Sequence, residues 1–210
     1  EVIPNEDVSL LQLLDTNTET VVLFGKSWEL HVKDVLNTTL EENLNMIFDS
    51  IKYLREQGRE VIFDAEHYFD GFKSDPDYSL GTLKSAERAG AYAIVLCDTN
   101  GGTLTHEVEL ITKKTVAKID SKVGVHCHND TGLAVANTLA AVKAGVTHIQ
   151  GTVNGFGERC GNADLCQVIP SLKYKMGLDV LGKGKTSELN MKELTSLSRY
   201  VYELTNIPPK

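Results

Sequence analysis

Five short apolar runs punctuate the chain, at residues 20–24, 60–63, 92–97, 123–126 and 147–153. Each is bounded by turn formers and rich in Val and Ile, the pattern expected of strands buried on both faces of a parallel sheet. Between the runs the apolar positions take a helical period. Thr39 with Glu42 makes a capping-box pattern; Leu40, Leu44, Ile47, Phe48, Ile51 and Leu54 follow at spacings of three and four, and Gly58 closes the segment. Asp75 before Pro76 reads as the N-cap and first residue of another helix, whose stripe of Leu80, Leu83 and Ala86 runs to Gly90. Thr105 is expected to cap a helix to about Lys118, Thr131 one to Gly145, and a last helix is expected over residues 189–205.

Strands alternating with helices mean repeated βα units with right-handed crossovers, giving either a doubly wound sheet or a (β/α)₈ barrel. A closed barrel usually needs about 250 residues. Five units in 210 residues leave such a barrel incomplete, and a first residue that is Glu1 and not Met agrees with a piece of a longer chain.

Composition narrows the function. The chain is 41% apolar and 24% charged, ordinary for one sizeable core. Its net charge is −8 and its basic residues are scattered, so no nucleic-acid footprint is visible. No apolar run approaches the ~20 residues of a membrane span, and no signal-peptide pattern opens the chain. A cytoplasmic protein without a membrane partner is expected. Cys97, Cys127, Cys160 and Cys166 show no CxxC spacing and are expected to be reduced packing residues.

In βα architectures reactive side chains gather at the C-terminal ends of strands. The fourth run ends His126-Cys127-His128-Asn129-Asp130. Side chains alternate along a strand, so His126 and His128 share a face, about 7 Å apart along the strand, while Cys127 faces the helices. Two neutral imidazoles there can hold one divalent cation if neighbouring loops add ligands; the plainer alternative is one core histidine and one at the rim. The fifth run leads into Asn154-Gly155-Phe156-Gly157-Glu158-Arg159-Cys160-Gly161-Asn162, where Asn162 can either cap the next helix or turn its amide oxygen to a metal. The second run gives Asp64-Ala65-Glu66-His67, with Asp70 beyond, so carboxylates and an imidazole are expected to converge for acid/base work or, more simply, for capping and salt bridging. Asp98 and Thr99 end the third run before a glycine turn. Gly25-Lys26-Ser27 has the end of a P-loop without the rest of its motif, and nucleotide binding there is rejected.

Together HCHND, NGFGERCGN, DAEHYFDG and LCDTNGGT resemble the strand ends of the metal-dependent acyl-CoA condensing barrels, the group of 2-isopropylmalate, homocitrate and citramalate synthases with the related acyl-CoA lyases. The match runs from the fourth family strand to the eighth. The resemblance implies a TIM (β/α)₈ barrel over residues 1–180, with 181–210 holding its final helix and the start of a linker to a C-terminal region. It implies His126, His128 and Asn162 as ligands of a divalent ion (Mn, Mg or Zn), Glu66 as the catalytic carboxylate and Thr99 as the residue binding the oxo acid. The implied reaction joins acetyl-CoA, as co-substrate, to a 2-oxo acid, most simply pyruvate to give citramalate, in a homodimer. A fourth ligand and a catalytic arginine would lie outside this chain, so the isolated piece is expected to be inactive. A lyase or aldolase running the reverse reaction, a metallohydrolase with its own HxH strand, and a purely structural module are the competing readings.

Overall fold

The structure, a computed structural model, describes residues 3–209, so the expected domain limits at 1 and 210 lie outside the described residues. After a 3-10 turn (Pro4–Glu6) come α1 (Val8–Asp15), β1 (Thr20–Lys26), α2 (Glu29–Asp34), α3 (Leu40–Glu56) and β2 (Glu60–Glu66). Next are α4 (Tyr68–Ser74), α5 (Pro76–Arg88), β3 (Ala93–Asp98), α6 (Thr105–Val116), β4 (Lys122–Cys127) and α7 (Ala134–Lys143). β5 (His148–Gln150), a 3-10 turn (Val153–Gly155), α8 (Leu165–Tyr174) and α9 (Lys185–Thr205) complete the order.

All five strands are parallel and lie in chain order, β1-β2-β3-β4-β5. A doubly wound sheet reverses its strand order at a switch point. Here every unit is laid beside the one before it, which is the winding of a (β/α)₈ barrel.

The helix-facing side of the sheet carries the main core. Val61, Phe63 and Ala65 of β2, Ile94 and Leu96 of β3, and Val123, Val125 and Cys127 of β4 pack in one cluster with Ile47, Ile51 and Leu54 of α3, Leu83 of α5 and Val108 of α6. Fully burying such a side chain contributes about 1.5–3 kcal/mol. On the inner face Ile62, Ala93, Val95 and Cys97 form a second, small cluster. Above it, toward the strand ends, the inner face turns polar.

Two sequence expectations need correction here. Burial on both faces holds for β3, all six residues of which are buried, and fails for β1, where Val22 is 47% and Phe24 70% exposed. β1 is the sheet edge and pairs only with β2, so among the described residues nothing covers its inner face. The fifth strand, expected to reach residue 153, ends at Gln150: Thr152 is still extended but bridges Asp164 instead of continuing the sheet pairing, and the 3-10 segment follows.

The helix starts divide by how local their capping is. Thr39 accepts from the Glu42 N–H (3.1 Å), and Asp75 accepts from the N–H groups of Asp77 and Tyr78. Thr105 does not cap α6: Leu104 is the N-cap residue, and the Thr105 hydroxyl donates instead to Asn137 Oδ1 (2.7 Å). Thr131 does not cap α7 either. Its hydroxyl donates to the Gly101 carbonyl (2.7 Å), while Asn129 Oδ1 accepts from the Ala134 N–H (3.1 Å). Asn162 is likewise no cap, since Asp164 holds that position for α8 and accepts from the Cys166 N–H.

α9 begins at Lys185, earlier than expected, and buries Ser187 and Met191. It is tied to the glycine loop through Asn154, whose Nδ2 donates to the Ser198 carbonyl (2.9 Å) and whose Oδ1 accepts from the Ser198 hydroxyl (2.6 Å). Of the cysteines, all free, Cys97 and Cys127 are buried packing residues; Cys160, contrary to expectation, is exposed, and Cys166 is half-buried. No helix among the described residues is long and apolar enough to cross a membrane.

Candidate functional site

β4 lies between β3 and β5, with His126 paired to Cys97 on one side and Gln150 on the other. The His126 and His128 rings share the inner face at 5.0 Å between centroids, and Cys127 between them is buried toward the helices. Beyond the strand, His128 and Asn162 form an isolated antiparallel bridge. That bridge brings the glycine-loop amide beside the imidazoles.

Backbone bonds hold the loop across the strand end. The Ala163 N–H donates to the Cys127 carbonyl (3.0 Å), Asn129 N–H to Gly161 (2.9 Å), and Asn162 N–H to Gly155 (3.0 Å). Two glycines make the approach possible. A Cβ on Gly157 would collide with the Asn162 amide, and one on Gly161, which sits at φ +97°, would strike the Gly155 carbonyl. Arg159 closes the loop from outside: its guanidinium makes a two-point contact with Asp130 (2.8 and 3.0 Å) and donates to the Thr99 carbonyl (2.7 Å). The Arg159 hydrogen bonds hold the Asp130 carboxyl below its ordinary range. Glu158, its sequence neighbour, stays largely exposed at 3.8 Å from the guanidinium.

Three buried atoms at this site have no hydrogen-bond partner among the described residues: His126 Nε2, His128 Nδ1 and Asn162 Oδ1. Buried polar atoms are nearly always paired, so an orphan points to strain, a catalytic role, water or an ion. These three atoms come from one strand end and the loop bridged to it. Burial, then the neighbouring His126 and Arg159, push the His128 pKa down, which favours the neutral ring a metal needs. Among the described residues no three His, Cys, Asp or Glu side chains converge on a point. The donor set in reach is therefore two imidazole nitrogens and one amide oxygen, a mixed N/O set of the kind that takes Mn²⁺, Mg²⁺ or Zn²⁺.

The polar residues at the end of β2 and just beyond it do not converge as one group; they separate into three pairings. Asp64, on the inner face, accepts from Gln150 Nε2 (2.8 Å). Glu66, also on that face, is bound by Lys26 (2.6 Å). His67 turns away at φ 56°, and its Nδ1 meets Asp70 Oδ2 at 3.2 Å, which Asn100 also contacts. Asp98 points to the helix side, where its carboxylate binds the hydroxyl and N–H of Thr103 (2.8 and 3.4 Å) as a buried turn device. Thr99 stands at the rim. Its hydroxyl oxygen accepts from the His67 N–H (2.8 Å), which leaves the hydroxyl hydrogen available to another acceptor.

Sequence reasoning missed two participants. Gln150 accepts from His126 Nδ1 at 2.7 Å, and Lys26, seen only as part of a defective P-loop, neutralises Glu66. The signal for Gln150 was its place on the next strand, but only the β4–β5 register puts it opposite His126.

The fold and these strand ends define a class. The chain belongs to the HMGL-like family, whose model matches residues 6–201. Within it, the chain is 52% identical to the (R)-citramalate synthase of Aquifex aeolicus and 53% identical to that of Sulfolobus acidocaldarius, over 97% of this chain in each case. It spans only 38% of the length of either relative. The solved HMG-CoA lyase of Bacillus subtilis superposes with a TM-score of 0.79 at 18% identity, covering 95% of this chain and 68% of that one, a likeness of fold.

Proposed function

We propose that this chain forms part of the catalytic barrel of an acyltransferase that condenses acetyl-CoA with a 2-oxo acid, pyruvate giving citramalate. The observation that carries the reading is the orphaned trio of His126 Nε2, His128 Nδ1 and Asn162 Oδ1, the ligand set expected from the sequence. The relatives named (R)-citramalate synthase support pyruvate as the oxo acid.

His126, His128 and Asn162 would hold a divalent cation, Mn, Mg or Zn. Such an ion acts as a Lewis acid on a carbonyl oxygen. The other roles fall to the chain's own residues. Thr99 directs its free hydroxyl hydrogen to the carboxylate of the oxo acid. Glu66, paired with Lys26 on the neighbouring strand, positions protons near the reacting carbonyl. Arg159 and the glycine loop cover this end of the sheet and keep Asn162 in place. Residues 1–180 are the barrel portion, and 181–210 its last helix and the start of a linker. The complete protein is a cytoplasmic homodimer.

The test is thiol release from acetyl-CoA by the full-length protein with pyruvate, 2-oxoisovalerate and 2-oxoglutarate. Release with pyruvate supports the reading; release with one of the others moves it to a 2-isopropylmalate or homocitrate synthase. No release, together with cleavage of the hydroxy acid, would replace it with a lyase or aldolase.

A further inference from the structure

Beneath the two histidines a chain of hydrogen bonds crosses the inner face from β2 to β5 to β4. Asp64 Oδ1 accepts from Gln150 Nε2 at 2.8 Å, and Gln150 Oε1 lies 2.7 Å from His126 Nδ1. All three residues are half-buried, and each position is set by the sheet, since Gln150 is the register partner of His126.

The chain has a direction that chemistry imposes. An ionised carboxylate can only accept, so the Gln150 end facing Asp64 must be the NH₂ group. The amide oxygen is then the end facing His126, and an amide oxygen also only accepts. His126 Nδ1 must therefore carry the proton. A neutral imidazole with Nδ1 protonated has a bare lone pair at Nε2, and Nε2 is the atom left buried without a partner. Replacing Asp64 by a group that can donate or accept would remove the direction, because the Gln150 amide could turn over and donate to Nδ1.

We infer that Asp64 and Gln150 are positioning residues that lock His126 in the Nδ1–H tautomer and aim its Nε2 lone pair at the cation site. The inference rests on the metal reading above for its purpose, though not for the tautomer itself. Partners of this kind orient a ligating imidazole, and losing one typically costs 10–100-fold in metal affinity.

The experiment uses the metal-free full-length protein labelled with ¹⁵N-histidine, with the His126 signals assigned from their loss in His126→Ala. Wild type is expected to show Nδ1 protonated and Nε2 bare. Gln150→Met should lose that preference and bind Mn²⁺ about 10–100-fold more weakly by calorimetry. Gln150→Glu combined with Asp64→Asn, which keeps an acceptor facing Nδ1 and an amide donor behind it, should restore both the tautomer and most of the affinity. A merely structural Gln150 would not produce that rescue. Should Gln150→Met fail to fold, Asp64→Asn serves, with mixed tautomers expected at His126. An unchanged His126 tautomer in Gln150→Met or Asp64→Asn, alongside Mn²⁺ loss in His126→Ala, would overturn the relay alone. Unchanged Mn²⁺ affinity in His126→Ala would overturn the metal reading and, with it, the ligand-positioning role.

Discussion

Lys26 and Glu66 are register partners on β1 and β2, and their side chains close a 2.6 Å ion pair at the C-terminal ends of those strands. The pair is about one-fifth exposed on each side, so its worth to stability is small, about 1 kcal/mol or less. Its consequence lies in placement: a carboxylate on the inner face is held by a lysine from the adjacent strand. Glu66→Gln is expected to lower kcat by about 10²–10⁴-fold, the range for a group that moves protons in the transition state. Lys26→Met should cost less, and the unfolding midpoint of both should stay near wild type. Steady-state thiol release and urea titration check the two halves.

Asn162→Ala should separate metal binding from folding. Its Oδ1 has no partner among the described residues, and an unsatisfied buried acceptor costs about 1–3 kcal/mol. Removing it is expected to abolish or strongly weaken Mn²⁺ binding while leaving metal-free stability unchanged or higher. Gly157→Ala, whose methyl would displace the Asn162 amide, should show the same split. Calorimetric titration with Mn²⁺ beside denaturant unfolding in chelator measures both.

Asp64 carries a pH-dependent cost. Burial raises its pKa, more than the Gln150 hydrogen bond and His126 lower it. With the folded value above the unfolded one of about 3.9, the native state binds the proton more tightly. This contribution therefore falls as pH rises from the unfolded pKa through the folded one, and the penalty is complete above both. Asp64→Asn should be more stable than wild type at pH 7, and the difference should shrink toward pH 4. Unfolding free energies measured across that range give the answer; a difference independent of pH would contradict the cause assigned here.

Arg159 ties the glycine loop to Asp130 and to the Thr99 carbonyl. Because it is exposed, Arg159→Ala should change global stability by less than about 1 kcal/mol. Its effect should be local. Amide hydrogen exchange across residues 154–162 is expected to speed up, reporting a lower local opening energy, and Mn²⁺ affinity should fall with it. Exchange measured by mass spectrometry, with unchanged protection in α3 and β3 as the internal control, tests this.

The parts readable from the chain were those decided by near neighbours. Thr39 and Asp75 cap as expected because each carboxyl or hydroxyl reaches N–H groups two or three residues on. Thr105 and Thr131 look the same on paper, yet their hydroxyls are drawn to Asn137 and Gly101, partners some 30 residues away in the chain. The same division runs through the candidate site. The two-residue period of a strand places His126 and His128 on one face and Cys127 on the other, and no tertiary knowledge is needed for that.

What the sequence by itself determined, then, is the succession of βα units, the same-face histidine pair and the glycine loop with room for an asparagine. Only the tertiary structure decided which polar groups meet. The strand register sets Gln150 against His126 and Lys26 against Glu66, and the loop crossing sets Asn162 against His128. It also separated Asp64, Glu66 and His67 into three different pairings, although they stand within four residues of one another. The physical reason is range: caps and face alternation depend on dihedral angles within a few residues, whereas a hydrogen bond between strands depends on how distant segments are brought into line.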